Sequence, residues 1–295
     1  MLKKHTVSLV LGSGGARGLA HIGVIHWLEK HGFEIVSISG CSMGALVGGV
    51  YAAGKLDEFE RWVIAIDKLD IIALLDLAWD SSGLIKGDKI INTLVKLVGD
   101  QYIESLPVKF TAVAADINRE KEAWMSKGQL FDAIRASISL PLFFTPVERD
   151  GVLLIDGGVL NPVPIAPTFH DNTDLTVAVN LGGKPEKKYR YTYEKPNIEH
   201  RKADQDITDK IKHFIREIKR KTSDIAEIDF GVYDIANQAF DAMQSTIARE
   251  KLAAYPPDYS IEIARNACGT LEFDRAEEMI DLGYQRAAES LKELL

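Results

Sequence analysis

The chain has little cysteine: among 295 residues only Cys41 and Cys268 carry a thiol. That count does not fit a disulfide-built scaffold and suits a reducing compartment such as the cytoplasm. Long apolar runs are missing as well. None approaches the roughly 20 residues that a membrane-spanning helix needs. Met1-Leu2-Lys3-Lys4 ahead of Val7 to Leu11 imitates a secretion signal, but the apolar run is too short and breaks at Gly12. Positive charge is in deficit, with a net charge of −8, which disfavours wholesale nucleic-acid binding. There is no internal repeat and no low-complexity tract. The hydrophobic fraction of 46% and charged fraction of 26% belong to a globular protein of one or two domains.

Two phosphate-binding patterns are also absent. There is no G-x-x-x-x-G-K-[ST] loop. The strict G-x-G-x-x-G pattern fails because Ser13 stands five positions before Gly18. No acidic residue ends the second strand at the spacing a ribose would want.

What is present is organised around Gly40-Cys41-Ser42-Met43-Gly44. Glu34 to Ser39 reads as a strand, and Ala45 to Ala53, small and apolar and closed by Gly54, reads as a helix. A serine between two glycines at a strand-to-helix turn has the nucleophile-elbow pattern G-x-S-x-G. The tight turn predicts a strained backbone at Ser42, with room only for glycine at Gly40 and Gly44. The serine Oγ would leave the sheet edge above the positive end of a helix dipole. Without a base, the same stretch is only a glycine-rich helix entry.

The surrounding order supports a parallel sheet. His5 to Leu11 reads as a strand and ends in Gly12-Ser13-Gly14-Gly15-Ala16-Arg17-Gly18. Leu19 to Lys30 follows with helical spacing and stops at Gly32. A β-α-β-α start within sixty residues implies an α/β fold with helices on both faces. Further helices are expected over Leu56–Asp67, Ile71–Trp79, Gly87–Val98 with Asp88 as N-cap, Gln129–Ser139, Ile228–Ile247 and Asp274–Leu294. Strands are expected over Val108–Ala115, Gly151–Ile155, Leu175–Leu181 and Tyr259–Ala264, and Lys121–Ser126 pairs back as a hairpin. From Lys184 to Lys221 thirteen basic and seven acidic residues give a net +6, with Tyr189, Tyr191 and Tyr193 among them. Such a segment could rest on anionic lipid headgroups, or be an ordinary solvated surface.

The glycine loop could aim backbone N–H groups at an anion. Beside an elbow, those groups could hold the oxyanion of a tetrahedral intermediate, where losing one donor typically costs about 3–4 kcal/mol. Arg17 could lend charge nearby, or be an arginine paired to an acid. For the base, a Ser–Asp–His order would need His170, His200 or His213, none in a distinctive setting; His21, His26 and His31 lie on the first helix. Asp156 leaves an apolar strand into Gly157-Gly158. Poor solvation there would raise its basicity, as a lone carboxylate base requires. The rival reading of Asp156-Gly157 is a type I′ hairpin turn.

Three stretches together, Gly14-Gly15-Ala16-Arg17-Gly18, Gly40-Cys41-Ser42-Met43-Gly44 and Asp156-Gly157-Gly158, with Ala136-Ser137-Ile138-Ser139-Leu140-Pro141 before the last, resemble the patatin-like phospholipase family. The likeness is strongest to its bacterial branch related to lysophospholipases of the neuropathy-target-esterase type. Ser13, where the family's glycine motif usually begins with glycine, is a departure. The resemblance implies a three-layer α/β/α sandwich with a mainly parallel central sheet, a catalytic core over 5–185, and a basic segment plus helical extension over 186–295 packing on it. It implies Ser42 as nucleophile, Asp156 as base, and Gly14 and Gly15 lining the oxyanion hole, supported by Arg17, Gly18, Gly40, Gly44, Gly157 and Gly158. It implies phospholipid, lysophospholipid or another acyl ester as substrate, with no metal or other cofactor. The expected setting is cytoplasmic, with peripheral membrane contact and no nucleic acid. The alternatives are a Ser-His-Asp esterase and a low-activity anion- or nucleotide-binding regulatory protein.

Overall fold

The computed structural model describes residues 5–67, 70, 71, 74, 85–186 and 231–295. Most of the basic run, from Lys187 on, lies outside the described residues, as do His200, His213 and most of the helix expected after Ile71.

Eight strands form one sheet: β1 Thr6–Leu11, β2 Glu34–Cys41, β3 Lys109–Asp116, β4 Lys121–Met125, β5 Val147–Arg149, β6 Val152–Asp156, β7 Leu175–Gly183 and β8 Tyr259–Ala264. The main path runs β5-β6-β3-β2-β1-β7-β8, and β4 pairs with β3. The five strands from β3 to β8 on this path are parallel. The other pairings are antiparallel. Val7, Leu9, Val10 and Leu11 are all fully buried, as a central parallel strand covered on both faces requires.

Alternation along β1 separates the two faces. Val7, Leu9 and Leu11 join the large core with α1 Ala20–Lys30 and α2 Met43–Ala52. Val10 points the other way and packs with Ala178 and with Ala248 of α6 Gly231–Ala254. The architecture is therefore a three-layer α/β/α sandwich. Further helices among the described residues are α3 Leu56–Ala65, α4 Asp88–Val98, α5 Leu130–Ser137 and α7 Ala276–Ser290. The segment after residue 186 supplies β8 to the same sheet and α7 to the surface of α1. At that contact a Cβ on Gly23 would overlap the Ile280 carbonyl, and one on Gly283 the Ala20 carbonyl.

One local expectation is corrected and one rival reading falls. Asp88 is the first helical residue of α4; its N-cap is Gly87, at φ 73°. Asp156-Gly157 is not a hairpin turn, because Asp156 ends β6 and a 3₁₀ turn, Gly157–Val159, follows. The Asp-Gly hairpin turn is Asp150-Gly151, at φ 52° and 74°, joining β6 to the unanticipated strand β5.

The position of β6 is what builds the site. β3 pairs with β2 over Lys109–Val113, with β6 over Ala114–Asp116, and with β4 over Ala112–Asp116. β4 thus shares residues with both of the others. Since one edge cannot pair twice at a residue, β4 holds one edge of β3 and β2 and β6 follow each other along the opposite edge. Cys41 lies opposite Val113, and Asp156 lies opposite the next residue, Ala114. The last residues of β2 and β6 meet head to head, although 114 positions separate Ser42 from Asp156 in sequence.

Candidate active site

Ser42 sits between β2 and α2 at φ 55°, ψ −123°. A non-glycine residue there carries backbone strain on the order of 1–3 kcal/mol. The flanking glycines make the turn sterically feasible. A Cβ on Gly44 would overlap the Leu11 carbonyl, and one on Gly40 would lie 2.5 Å from the Gly44 oxygen. Ser137, on the last turn of α5, pins the turn: its Oγ accepts from the Ser42 N–H at 2.9 Å and donates to the Val113 carbonyl at 2.6 Å. Ser137 belongs to the Ala136–Pro141 stretch that carries the family resemblance, but nothing in the sequence assigns it this hydrogen-bonding role.

The Ser42 Oγ donates to Asp156 Oδ2 at 2.5 Å. Asp156 is fully buried. Its other oxygen accepts from the Gly158 N–H at 2.8 Å and, more loosely, from the Cys41 Sγ at 3.8 Å. Burial pushes the Asp156 carboxyl up to about 6, against the three hydrogen bonds that favour its charged form. A carboxylate so placed is a stronger base than one in water.

Of the N–H groups along the glycine loop, Gly12 donates to Val179, Ser13 to Pro162 and Ala16 to Thr270. Gly14 and Gly15, between them, donate to no group among the described residues and line the cavity that holds Ser42. Gly15 has φ 56°, and a Cβ there would lie 2.5 Å from the Thr270 oxygen. Met43 and Gly44 open α2, where helical N–H groups have no intrahelical acceptor. The Ser42 N–H is engaged by Ser137 and those of Ala45 and Leu46 by the Ser42 carbonyl, so the groups open to an oxyanion belong to Gly14, Gly15 and Met43 at the start of α2. His21 steadies the loop from below: its Nε2 donates to the Gly12 carbonyl at 2.9 Å, and burial lowers its titration to about 4, keeping it neutral.

Arg17 is buried and paired. It donates to Asp241 Oδ1 at 2.8 Å and to the Cys268 carbonyl at 3.1 Å, tying the glycine loop to α6 and to the turn after β8. A Cβ on Gly18 would meet the Met43 side chain, and Gly157 and Gly158 pack on the Val113 carbonyl and on Gln244 and Ser13. No described histidine lines the cavity. His170 lies beside Asp171, which Ser8 contacts near the start of β1. That is the end of the strand away from the elbow, on the order of 15–20 Å off.

The cavity itself is apolar, with about 1060 Å³ of empty space including its mouth. Phe59, Trp62, Leu46, Leu94, Phe143 and Phe240 are among its walls. Such walls suit a hydrocarbon chain leading to the serine. Among the described residues no group of three His, Cys, Asp or Glu is placed to hold a metal ion, and no helix is long and apolar enough to cross a membrane.

Several known proteins are similar to this chain. An uncharacterised NTE family protein of Mycobacterium tuberculosis is 38% identical across 97% of this chain and 91% of its own length. The lysophospholipase NTE1 of Saccharomyces cerevisiae is 30% identical across 63% of this chain, but that stretch is 11% of the yeast protein. The lysophospholipase nte1 of Emericella nidulans is 32% identical across 60% of this chain and 12% of its own length. Among solved structures, VipD from Legionella pneumophila overlays with a TM-score of 0.47 at 16% identity, over 99% of this chain and 67% of that one. The family described as patatin-like phospholipase matches residues 9–169, a span that opens in β1 and takes in the glycine loop, the elbow and the Asp156 turn. By that match this chain belongs to the patatin-like phospholipase family.

Proposed function

We propose that this protein is a serine hydrolase of lipid acyl esters, of the lysophospholipase or phospholipase A type, working through a Ser42–Asp156 dyad. The observation that carries the reading is the 2.5 Å hydrogen bond from Ser42 Oγ to a buried carboxylate at the head of an apolar cavity. In this mechanism the acyl chain enters the cavity and its ester carbonyl reaches the elbow. Asp156 takes the serine proton as Oγ attacks the carbonyl carbon. The oxyanion is held by the N–H groups of Gly14, Gly15 and Met43 at the start of α2. The protonated Asp156 then delivers its proton to the departing alcohol, leaving an acyl group on Ser42. Water, deprotonated by Asp156, releases the fatty acid. No step calls on a metal or an organic cofactor.

The names of the fungal relatives favour lysophospholipids within this class. The free thiols and the basic run beyond Gly183 suit a cytoplasmic enzyme meeting its substrate at a membrane surface. The test is direct. A fluorophosphonate should label wild type on Ser42 and leave Ser42→Ala untouched, and lysophosphatidylcholine should release fatty acid at a rate that Asp156→Asn abolishes. Full turnover by Asp156→Asn would refute the dyad, and turnover indifferent to anionic vesicles would refute the membrane role of the basic run.

A further inference from the structure

Resting on that reading, the hydrolytic step raises a question of supply. An acyl-enzyme fills the apolar cavity with hydrocarbon, and the walls offer water almost no partners. Behind the glycine loop lies a second, much smaller cavity of different character. Its polar lining comes from Ser13, Arg17, Asn180, Asp241, Gln244 and Ser245. Ser13, Asp241 and Gln244 line both cavities, so these side chains form the partition between them. Gln244 closes it by donating from Nε2 to Ser13 Oγ at 3.1 Å. Both residues pack on Gly158, whose N–H holds Asp156.

The lining is not self-satisfied. Arg17 is 3% exposed, its Nη1 and Nη2 donate to Cys268 and Asp241, and its Nε–H has no partner. A buried guanidinium N–H in a lining that also holds a carboxylate, two amides and two hydroxyls has the two to four partners that hold an ordered water. The space suits about one water and nothing larger.

We propose that this polar chamber is the water site for deacylation, and that Gln244 and Ser13 are the gate through which water passes to the acyl group on Ser42. The step balances simply. The water oxygen bonds to the acyl carbon while one of its protons goes to Asp156. The acyl–Oγ bond then breaks, Asp156 returns that proton to Ser42 Oγ, and the fatty acid leaves. The alcohol product and lipid acceptors use the wide cavity instead, so water and lipid reach the acyl-enzyme from different sides.

The experiment uses the full chain with p-nitrophenyl octanoate, whose activated leaving group makes deacylation the slow step. Gln244→Leu and Ser245→Val remove polar lining with little change of volume; Ser245 lines only the small chamber. Ser245→Val, outside the Ser42 cavity, should label with fluorophosphonate at the wild-type rate, since that reaction needs no water, and Gln244→Leu is compared per labelled site. Steady-state turnover per labelled site should fall about tenfold, the equivalent of one lost hydrogen bond to the transiting water. Intact-protein mass spectrometry after the substrate is spent should find octanoyl-Ser42 decaying about tenfold more slowly in the variants than in wild type. Normal labelling with unchanged turnover and an adduct that decays at the wild-type rate in both variants overturns the water route alone. Failure of wild type to label at Ser42 overturns the functional reading and this inference together. Gln244→Asn, which keeps an uncharged polar gate, should recover part of the turnover.

Discussion

Asp156→Asn should make the protein more stable at neutral pH while removing its activity. In the folded chain the carboxyl titrates near 6 rather than at its ordinary 3.8, because burial disfavours the anion. The folded state therefore binds its proton more tightly than the unfolded state does. Below about pH 3.8 the group is protonated in both states and costs nothing. Between 3.8 and about 6 the folded state holds the extra proton, so stability falls as pH rises, and above about 6 the loss is complete. The penalty at pH 7 is on the order of 3 kcal/mol. Asparagine has the same shape and no charge. Its Oδ1 can still accept from the Gly158 N–H, and its amide faces the Ser42 Oγ. The variant should therefore gain most of that energy, about 5–10 °C in melting temperature for a chain of this size. Thermal unfolding of wild type and variant from pH 4 to pH 8 is the assay. The two curves should meet near pH 4, diverge up to pH 6 and run parallel above it. A variant less stable than wild type at pH 7, or a gap that does not change with pH, would show that Asp156 is not a desolvated anion.

Three further outcomes follow from the same geometry. The kcat/KM for a soluble ester should fall tenfold per pH unit below an apparent pKa near 6 and be flat above it, because only the ionised Asp156 can take the serine proton; activity that persists undiminished at pH 4.5 would contradict this. Ser137→Ala leaves the Ser42 N–H buried without an acceptor, a loss of about 1–3 kcal/mol. It should lower kcat roughly ten- to hundredfold with KM little changed, and Ser137→Thr should recover part of the loss; an unaltered kcat would mean that the elbow holds itself. Gly283→Ala puts a methyl into the Ala20 carbonyl where α7 crosses α1, so it should destabilise by about 2–3 kcal/mol far from the cavity. Urea unfolding tests it, and wild-type stability would mean that α7 does not pack so closely in solution.

Much of the site was legible because its parts are local. A serine between glycines, after an apolar strand and before a run of small residues, has few structural uses, and the contacts at Gly40 and Gly44 show why each position tolerates no side chain. What was not legible is what brings the parts together. Asp-Gly occurs at 150–151 and at 156–157 with the same local chemistry. One is a hairpin turn and the other is not, and the difference lies in where β6 pairs along β3. β5 is three residues long, too short to leave a periodic trace. Arg17 was open between two roles because its partner, Asp241, is 224 residues away. Ser137 and His21 hold the elbow and the loop through one hydrogen bond each, and a lone polar residue in a helix announces nothing of that kind.

On the proposed mechanism, the head-to-head meeting of β2 and β6 is what would let a carboxylate serve where a histidine would be the usual base. An exposed aspartate near pKa 3.8 is a weak base toward a serine hydroxyl. Removing it from water strengthens it, but an anion buried without partners would simply hold its proton at neutral pH. At the end of β6 the carboxylate gets both treatments. It is fully buried, yet the Gly158 N–H, the Cys41 thiol and the Ser42 hydroxyl itself point at it. The balance lands near 6, ionised at pH 7 and still basic enough to pull on the serine proton. Each added donor would push it back toward an ordinary aspartate, and each one removed would protonate it. The Cys41 thiol, loose at 3.8 Å, is where that balance can be adjusted without moving the backbone. Its position opposite Val113, one step from the Ala114 that aligns Asp156, puts the adjusting group and the base under the control of the same strand.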